Sequence, residues 1–115
     1  MRSFKRADRV GALIQEILAV LVTQEVKDPR VKSAVITGIQ LGDDLRLATV
    51  MYQTTSADPE SVLAGLESAR GFLRRELGER LRMKFVPDLR FRLDTSLTAL
   101  QRIEEILKDL PRPSE

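Results

Sequence analysis

Basic side chains crowd into one stretch in the second half of the chain. From Arg70 to Arg92, a span of 23 residues, the sequence holds eight basic residues and three acidic ones. Arginine suits phosphate because its planar guanidinium donates two parallel hydrogen bonds. Such a cluster is typical of a surface that binds the backbone of a nucleic acid. The candidate binding residues in this cluster are Arg70, Arg74, Arg75, Arg80, Arg82 and Lys84, and Arg6 and Arg9 extend the predicted patch from the N-terminal region.

Aromatic side chains that could stack on bases are scarce. They are Phe4, Tyr52, Phe72, Phe85 and Phe91. We therefore expect recognition of the nucleic-acid backbone and shape rather than stacking on single strands. For any one basic residue, the alternative is a solvated surface charge held in a salt bridge; the density of the cluster favours phosphate binding.

The chain lacks the residues of several common catalytic and metal sites. The chain contains no His and no Cys, which excludes a Ser–His triad, a thiol nucleophile and an imidazole or thiolate zinc site. No glycine-rich phosphate loop is present. The acidic pairs are Asp43 with Asp44, Glu76 with Glu79, and Glu104 with Glu105. We interpret them as a turn and two solvated helix surfaces, and we expect a protein that is not an enzyme and needs no metal or cofactor.

Length and composition predict one globular domain. The chain has 115 residues, 43% of them hydrophobic, and a formal net charge of +2. No apolar run reaches the length of a membrane span, and the basic N-terminus is not followed by the apolar core of a signal peptide. We therefore expect a cytoplasmic protein.

Helical periodicity marks the first element. The apolar residues that recur at the spacing of one helix face are Val10, Leu13, Ile14, Ile17, Leu18 and Leu21. The pattern ends near residue 25, before a proline-containing segment at 27–30. A helix that binds a partner or lies on a membrane is the alternative, but its wide apolar face favours a core helix.

Strand patterns follow. Residues 33–41 and 45–53 flank a Gly-Asp-Asp tip and predict a β-hairpin, with two unpaired strands as the alternative. Residues 89–93 alternate, so that Leu89, Phe91 and Leu93 face the core while Arg90 and Arg92 face outward.

A longer helical pattern separates the second and third strands. Asp58 and Pro59 suit its N-cap and first turn, and the period runs to about residue 84. Gly71 lies inside it and predicts a kink between two helical halves, with one continuous helix as the alternative. A last amphipathic helix is predicted at residues 97–110. The elements predict an α+β fold with a three-stranded sheet and helices on one face.

Short motifs along the chain resemble those of the ribosome-binding factor A family, from Arg6 to about Ser96. They are Arg9-Val10, Lys27-Asp28-Pro29-Arg30, Ile36-Thr37, Asp44-Leu45 with Ala48, Ala69-Arg70-Gly71, Val86-Pro87-Asp88-Leu89, Phe91 and Asp94-Thr95-Ser96. Each motif is weak alone, whereas their order and spacing are specific.

The resemblance implies a single type II KH-like domain of order α-β-β-α-α-β at residues 1–96, followed by a C-terminal helix and polar tail at 97–115. An ordinary KH domain clamps the nucleotide backbone with a Gly-x-x-Gly loop; here Ala69, Arg70 and Gly71 stand in its place as a helix kink. The departure from the family lies after Ser96, where family tails vary in length and content.

The implied function is binding of the immature small ribosomal subunit and help in maturing its rRNA, including the 5′ end. The family is tied to growth in the cold, is not enzymatic, and leaves before translation with help from a ribosome-assembly GTPase. We expect a monomer. Asp28 and Pro29 either contact RNA or shape the turn after the first helix, and we favour the turn. The rival interpretations are a basic protein–protein interaction module that binds along a sheet edge, without direct RNA contact, and an enzyme that uses the carboxylates.

Overall fold

The computed structural model describes residues 2–95, with side chains from Arg6 onward. The C-terminal helix expected at 97–110 and the polar tail lie outside the described residues. The elements in chain order are helix α1 (Arg2–Val20), a π-helical turn (Leu21–Glu25), a 3-10 turn (Pro29–Val31), strands β1 (Ala34–Leu41) and β2 (Leu47–Thr54), helix α2 (Pro59–Leu81) and strand β3 (Asp88–Leu93).

The three strands form one sheet in the order β1-β2-β3. Strands β1 and β2 pair antiparallel, which confirms the predicted hairpin, and β3 pairs parallel to β2. The hairpin tip is tight: the Leu45 amide donates to the Gly42 carbonyl at 2.9 Å, and Leu45 has a φ of 59°. A parallel neighbour needs a long crossover, which α2 supplies.

One face of the sheet packs against both helices. Apolar side chains from α1, α2, β2 and β3 form the core, because burying them removes apolar surface from water. Fully or almost fully buried members are Ile14, Leu18, Leu21, Ala48, Val50, Tyr52, Leu66, Leu73, Leu77, Leu89 and Phe91. Arg90 and Arg92 are exposed on alternate positions of β3, as predicted. Two residues predicted on core-facing positions are instead exposed: Leu13 on α1 to 50% and Leu93 at the end of β3 to 37%.

Helix α2 corrects the expected count of elements. The two helical halves predicted on either side of Gly71 form a single α-helix, so the order within residues 2–95 is α-β-β-α-β. A Cβ added at Gly71 would meet nothing within 4 Å, so no close approach demands glycine there. Once both halves pack on the core, the roughly 1 kcal/mol propensity cost of one glycine is too small to break the helix. A bend of the axis at this position stays a prediction.

The start of α2 follows the sequence signals, whereas its last residue is Leu81 rather than about residue 84 as predicted. The Asp58 carboxylate accepts from the Ser61 amide at 3.2 Å, and Pro59 occupies the first turn. The helix ends at Arg82, which adopts the left-handed conformation with a φ of 53° and donates its amide to the Gly78 carbonyl at 2.9 Å.

The segment after α1 is shaped by Asp28 and Pro29, as favoured from the sequence. The Asp28 carboxylate accepts from the Arg30 amide at 3.0 Å and caps the short 3-10 turn. This turn lies against α2 at Gly65, where an added Cβ would come within 2.9 Å of Arg30 Cβ and Val31 Cγ1. Gly65 is therefore required for close packing of the two segments. Within the described part of the chain, no helix is long and apolar enough to cross a membrane.

Candidate nucleic-acid interface

Helix α2 and the loop after it carry the six predicted binding residues from Arg70 to Lys84, but their side chains have different partners. Three of them, which we call the bonded arginines, are held by other groups of the protein: Arg70, Arg74 and Arg80. The Arg70 guanidinium pairs with Glu67 one turn earlier, and its Nε is buried without a hydrogen-bond partner. Arg80 Nη2 lies 2.8 Å from Glu25 Oε2 and 3.6 Å from Glu76 Oε1. These carboxylates, Glu25 foremost, raise the pKa of Arg80 above its ordinary value.

Arg74 links α2 to the chain before β3. Its Nε donates to the Pro87 carbonyl at 3.2 Å, and its Nη2 donates to the Val86 carbonyl at 3.1 Å. Asp88 Oδ1 lies 3.9 Å from the same guanidinium. Two of its five N–H groups are therefore used to hold the connecting loop, which makes Arg74 a structural residue whatever else it contacts.

The other predicted residues have no ion pair among the residues that the structure describes. We call them, together with Arg46, the unpaired basic residues; all are exposed. They are Arg6, Arg9, Arg46, Arg75, Arg82 and Lys84. A phosphate can approach these side chains without displacing a carboxylate. Contact with them therefore costs an anionic ligand less free energy than contact with the bonded arginines.

A cleft of about 840 Å³ opens where the start of α1, the β1–β2 tip and the α2–β3 loop meet. We call it the end cleft. It brings together Arg6, Arg74 and Lys84 of the predicted patch. The remaining predicted residues, Arg9, Arg70, Arg75, Arg80 and Arg82, do not line it.

Two residues that line the end cleft, Arg46 and Phe85, are not among the binding residues predicted from the sequence. Arg46 lies in an acidic part of the sequence, and only the hairpin fold brings it to the end cleft. Phe85 lines the same cleft with 76% of its surface exposed, and the Lys84 ammonium is 5.8 Å from its ring centroid. The signal available in the sequence was an aromatic residue directly after a lysine in a basic stretch, and single pairs of that kind are common.

Two of the acidic residues weighed as catalytic candidates, Asp44 and Glu76, are engaged in local structure. Asp44 Oδ1 accepts from the Arg46 amide at 3.1 Å, as expected for a turn. Glu76 lies beside Arg80. Within residues 2–95, no group of three or more acidic side chains is placed to share a metal ion. Glu104 and Glu105 lie outside the described residues.

An ion pair with several hydrogen bonds joins Asp28 and Arg30 beside α2. Arg30 Nη2 lies 2.6 Å from Asp28 Oδ2 and 3.4 Å from Ser68 Oγ, and Arg30 Nε is 3.1 Å from both carboxylate oxygens. These hydrogen bonds hold the pKa of Asp28 below its ordinary value and raise the pKa of Arg30. Both groups are used in fixing the turn against α2, so the geometry supports a structural role for Asp28.

Known proteins resemble this chain over most of its length. The family model described as ribosome-binding factor A matches residues 6–107. A ribosome-binding factor A of Geotalea uraniireducens is 42% identical over 109 residues, which cover 93% of this chain and 89% of the relative. The protein of the same name from Geobacter sulfurreducens is 43% identical over 110 residues, covering 93% and 92%.

Solved structures agree in fold. The crystal structure of ribosome-binding factor A from Thermus thermophilus superposes with a TM-score of 0.68 at 24% identity, covering 76% of this chain and 94% of that one. Coordinates of a homology model of the Thermus thermophilus factor, fitted into a cryo-electron microscopy map of a 30S complex, give a TM-score of 0.65 at 26% identity, covering 75% and 92%.

Proposed function

The chain belongs to the ribosome-binding factor A family, and from this premise we propose that it is an assembly factor that binds the immature small ribosomal subunit through its rRNA. The Thermus thermophilus relative is described in complex with the 30S subunit. The contact is non-catalytic: the protein docks on RNA by charge and shape and so favours an immature arrangement of the rRNA.

The observation that carries the proposal is the set of unpaired basic residues. Lys84 of the loop after α2, Arg6 of α1 and Arg46 of the hairpin line the end cleft. Arg75 lies within α2, and Arg82 directly follows the helix. A basic side chain that is not paired with a carboxylate of the protein gives up only water and counterions when it binds a phosphate. Cations from three elements at one end of the molecule suit a folded RNA better than a single extended strand.

The finer parts of the proposal come from the family resemblance. They are help in maturing the 5′ end of small-subunit rRNA, a role in growth in the cold, release with help from a ribosome-assembly GTPase, and action as a cytoplasmic monomer. The KH-like arrangement belongs here too, with Ala69, Arg70 and Gly71 as a bend that replaces the Gly-x-x-Gly loop.

Co-sedimentation across a salt series tests the proposal. The purified protein is mixed with immature small subunits, mature small subunits and assembled ribosomes. We expect salt-sensitive binding to immature subunits and weak binding to assembled ribosomes, because a factor that leaves before translation must lose its site as the subunit matures.

Two results would contradict the proposal. Absence of binding to any particle at low salt removes the assembly-factor function. Binding that survives both high salt and nuclease treatment of the particles would instead support the protein–protein interaction module.

A further inference from the structure

Among the described side chains of the basic surface, the end cleft contains an exposed aromatic ring. Phe85 is 76% exposed, the largest value among the exposed large hydrophobic side chains that the structure describes. Its neighbours Val86 and Pro87 pack toward the protein, and Pro87 is fully buried. A phenylalanine left in water beside buried neighbours forgoes the usual gain from apolar burial, and its ring is accessible to a planar ligand.

The loop that presents Phe85 is held from both sides. On one side Arg82 ends α2 in the left-handed conformation. On the other, Arg74 binds the carbonyls of Val86 and Pro87. Because the chain is fixed before and after the ring, Phe85 is positioned in advance, and binding against it costs less ordering.

The charges around the ring indicate what can lie there. Arg6, Arg46 and Lys84 line the cleft without an ion pair in the described part of the chain. Asp43, Asp44 and Asp88 line it too. Carboxylates repel a phosphate, but they do not repel an uncharged base. A ligand with both a neutral planar part and anionic parts therefore fits this mixed lining.

We propose that the end cleft is a nucleotide subsite, in which one unpaired base of the small-subunit rRNA stacks on Phe85 while its flanking phosphates lie against Lys84 and Arg46. The inference rests on the proposed function and adds a stacking contact to the backbone recognition expected from the sequence. A cleft of about 840 Å³ lies within the range of roughly 300–1,000 Å³ typical of small-ligand sites. Lys84 beside the ring adds a cation–π contact and leaves the opposite ring face for the base.

Two RNA probes test the subsite. One is a fully paired RNA duplex of about 16 base pairs, the length that shape-reading domains span. The other is the same duplex with a single unpaired 2-aminopurine bulged from one strand. Affinities are measured for the full-length protein and for Phe85→Leu, which keeps the apolar bulk without the aromatic face, and Phe85→Trp, which keeps an aromatic face. Val35→Ala, at an exposed apolar residue away from the cleft, is the matched control.

We expect the natural protein to bind the bulged duplex about tenfold more tightly than the paired one, in line with the effect of one base–aromatic stack. Stacking should also quench the 2-aminopurine fluorescence. Phe85→Leu should lose both the preference and the quenching, whereas Phe85→Trp and Val35→Ala should keep them. Phe85→Leu should also bind immature small subunits about tenfold more weakly. Because Phe85 is exposed, these variants should unfold at the same temperature as the natural protein.

The outcomes separate the subsite from the proposed function. Equal affinity for both duplexes, or a preference for the bulged duplex that survives in Phe85→Leu, would overturn the subsite. The proposed function would still stand if the natural protein bound immature subunits in a salt-sensitive way. If the natural protein does not bind immature subunits, both the subsite and the proposed function are wrong. If Phe85→Leu weakens binding to rRNA-free small-subunit proteins and leaves the bulged duplex unaffected, the cleft takes a protein segment and the proposal is wrong.

Discussion

The bonded arginines and three of the unpaired basic residues, Arg75, Arg82 and Lys84, occupy neighbouring positions on one helix and its loop, yet the structure uses them differently. Arg74 and Arg80 join α2 to the β3 loop and to the end of the first helical segment. Arg75 and Lys84 have no ion pair among the described residues. A count of charges in a sequence therefore overstates a binding surface, because part of the charge stabilises the fold.

Three consecutive residues of α2 make the comparison sharpest. Leu73 is fully buried in the core, Arg74 holds the loop before β3, and Arg75 is exposed. One turn of helix thus contains a buried apolar side chain, an arginine that donates structural hydrogen bonds and an arginine that is exposed to solvent. Each should respond to substitution by alanine in its own way.

The largest effect is expected for Leu73→Ala. Removing a fully buried leucine loses transfer free energy and leaves a cavity, so the free energy of unfolding should fall by about 2–5 kcal/mol. Urea unfolding followed by circular dichroism measures this change. A loss below about 1 kcal/mol would show that the core at this point is not packed as the structure has it.

Arg74→Ala should have a smaller effect on stability. Two carbonyl oxygens lose their guanidinium donors, and we expect the free energy of unfolding to fall by about 1–2 kcal/mol. Arg75→Ala is the matched control next in the chain and should change stability by less than about 0.5 kcal/mol. Equal stability of the two variants in urea would contradict the division between bonded and unpaired residues.

A pH-dependent effect is expected at Asp28. Its pKa is lowered in the folded state by Arg30, so its contribution is fully present above the ordinary aspartate pKa of about 4. That contribution is lost as the pH falls through the lower, folded-state value. Asp28→Asn should therefore be less stable than the natural protein at neutral pH, with a difference that shrinks toward about pH 2.

Urea unfolding from neutral to acidic pH follows this difference. Glu16→Gln on α1, an exposed carboxylate outside the ion pairs of the described chain, is the control and should lose little at any pH. A difference between Asp28→Asn and the natural protein that stays constant with pH would show that the Asp28–Arg30 pair does not stabilise the fold.

Much of the fold could be predicted from the sequence because local signals agree with it. The hairpin follows from β-branched runs around Gly42, and the start of α2 follows from Asp58 and Pro59. The parallel pairing of β3 beside β2 has no local signal. The continuity of α2 through Gly71 has no local signal either, because the packing of both halves of the helix decides whether one glycine breaks it.

The site could be predicted only in outline. Basic residues can be counted, but some of their partners are remote in sequence: Arg80 pairs with Glu25 across 55 positions. Arg46 joins the end cleft only because the hairpin folds back toward the α2–β3 loop. Which cations stay open to phosphate depends on these tertiary contacts.

The most direct test of this account compares two double variants that each remove two positive charges from the same segment. Arg75→Ala with Lys84→Ala removes unpaired residues, and Arg70→Ala with Arg80→Ala removes bonded ones. Binding to immature small subunits is measured by co-sedimentation across a salt series. We expect the first variant to reduce the slope of log affinity against log salt by about two, and the second by less than about one. Equal reductions in slope would contradict the account, because they would mean that the internal partners of the arginines have no influence on which charges meet the RNA.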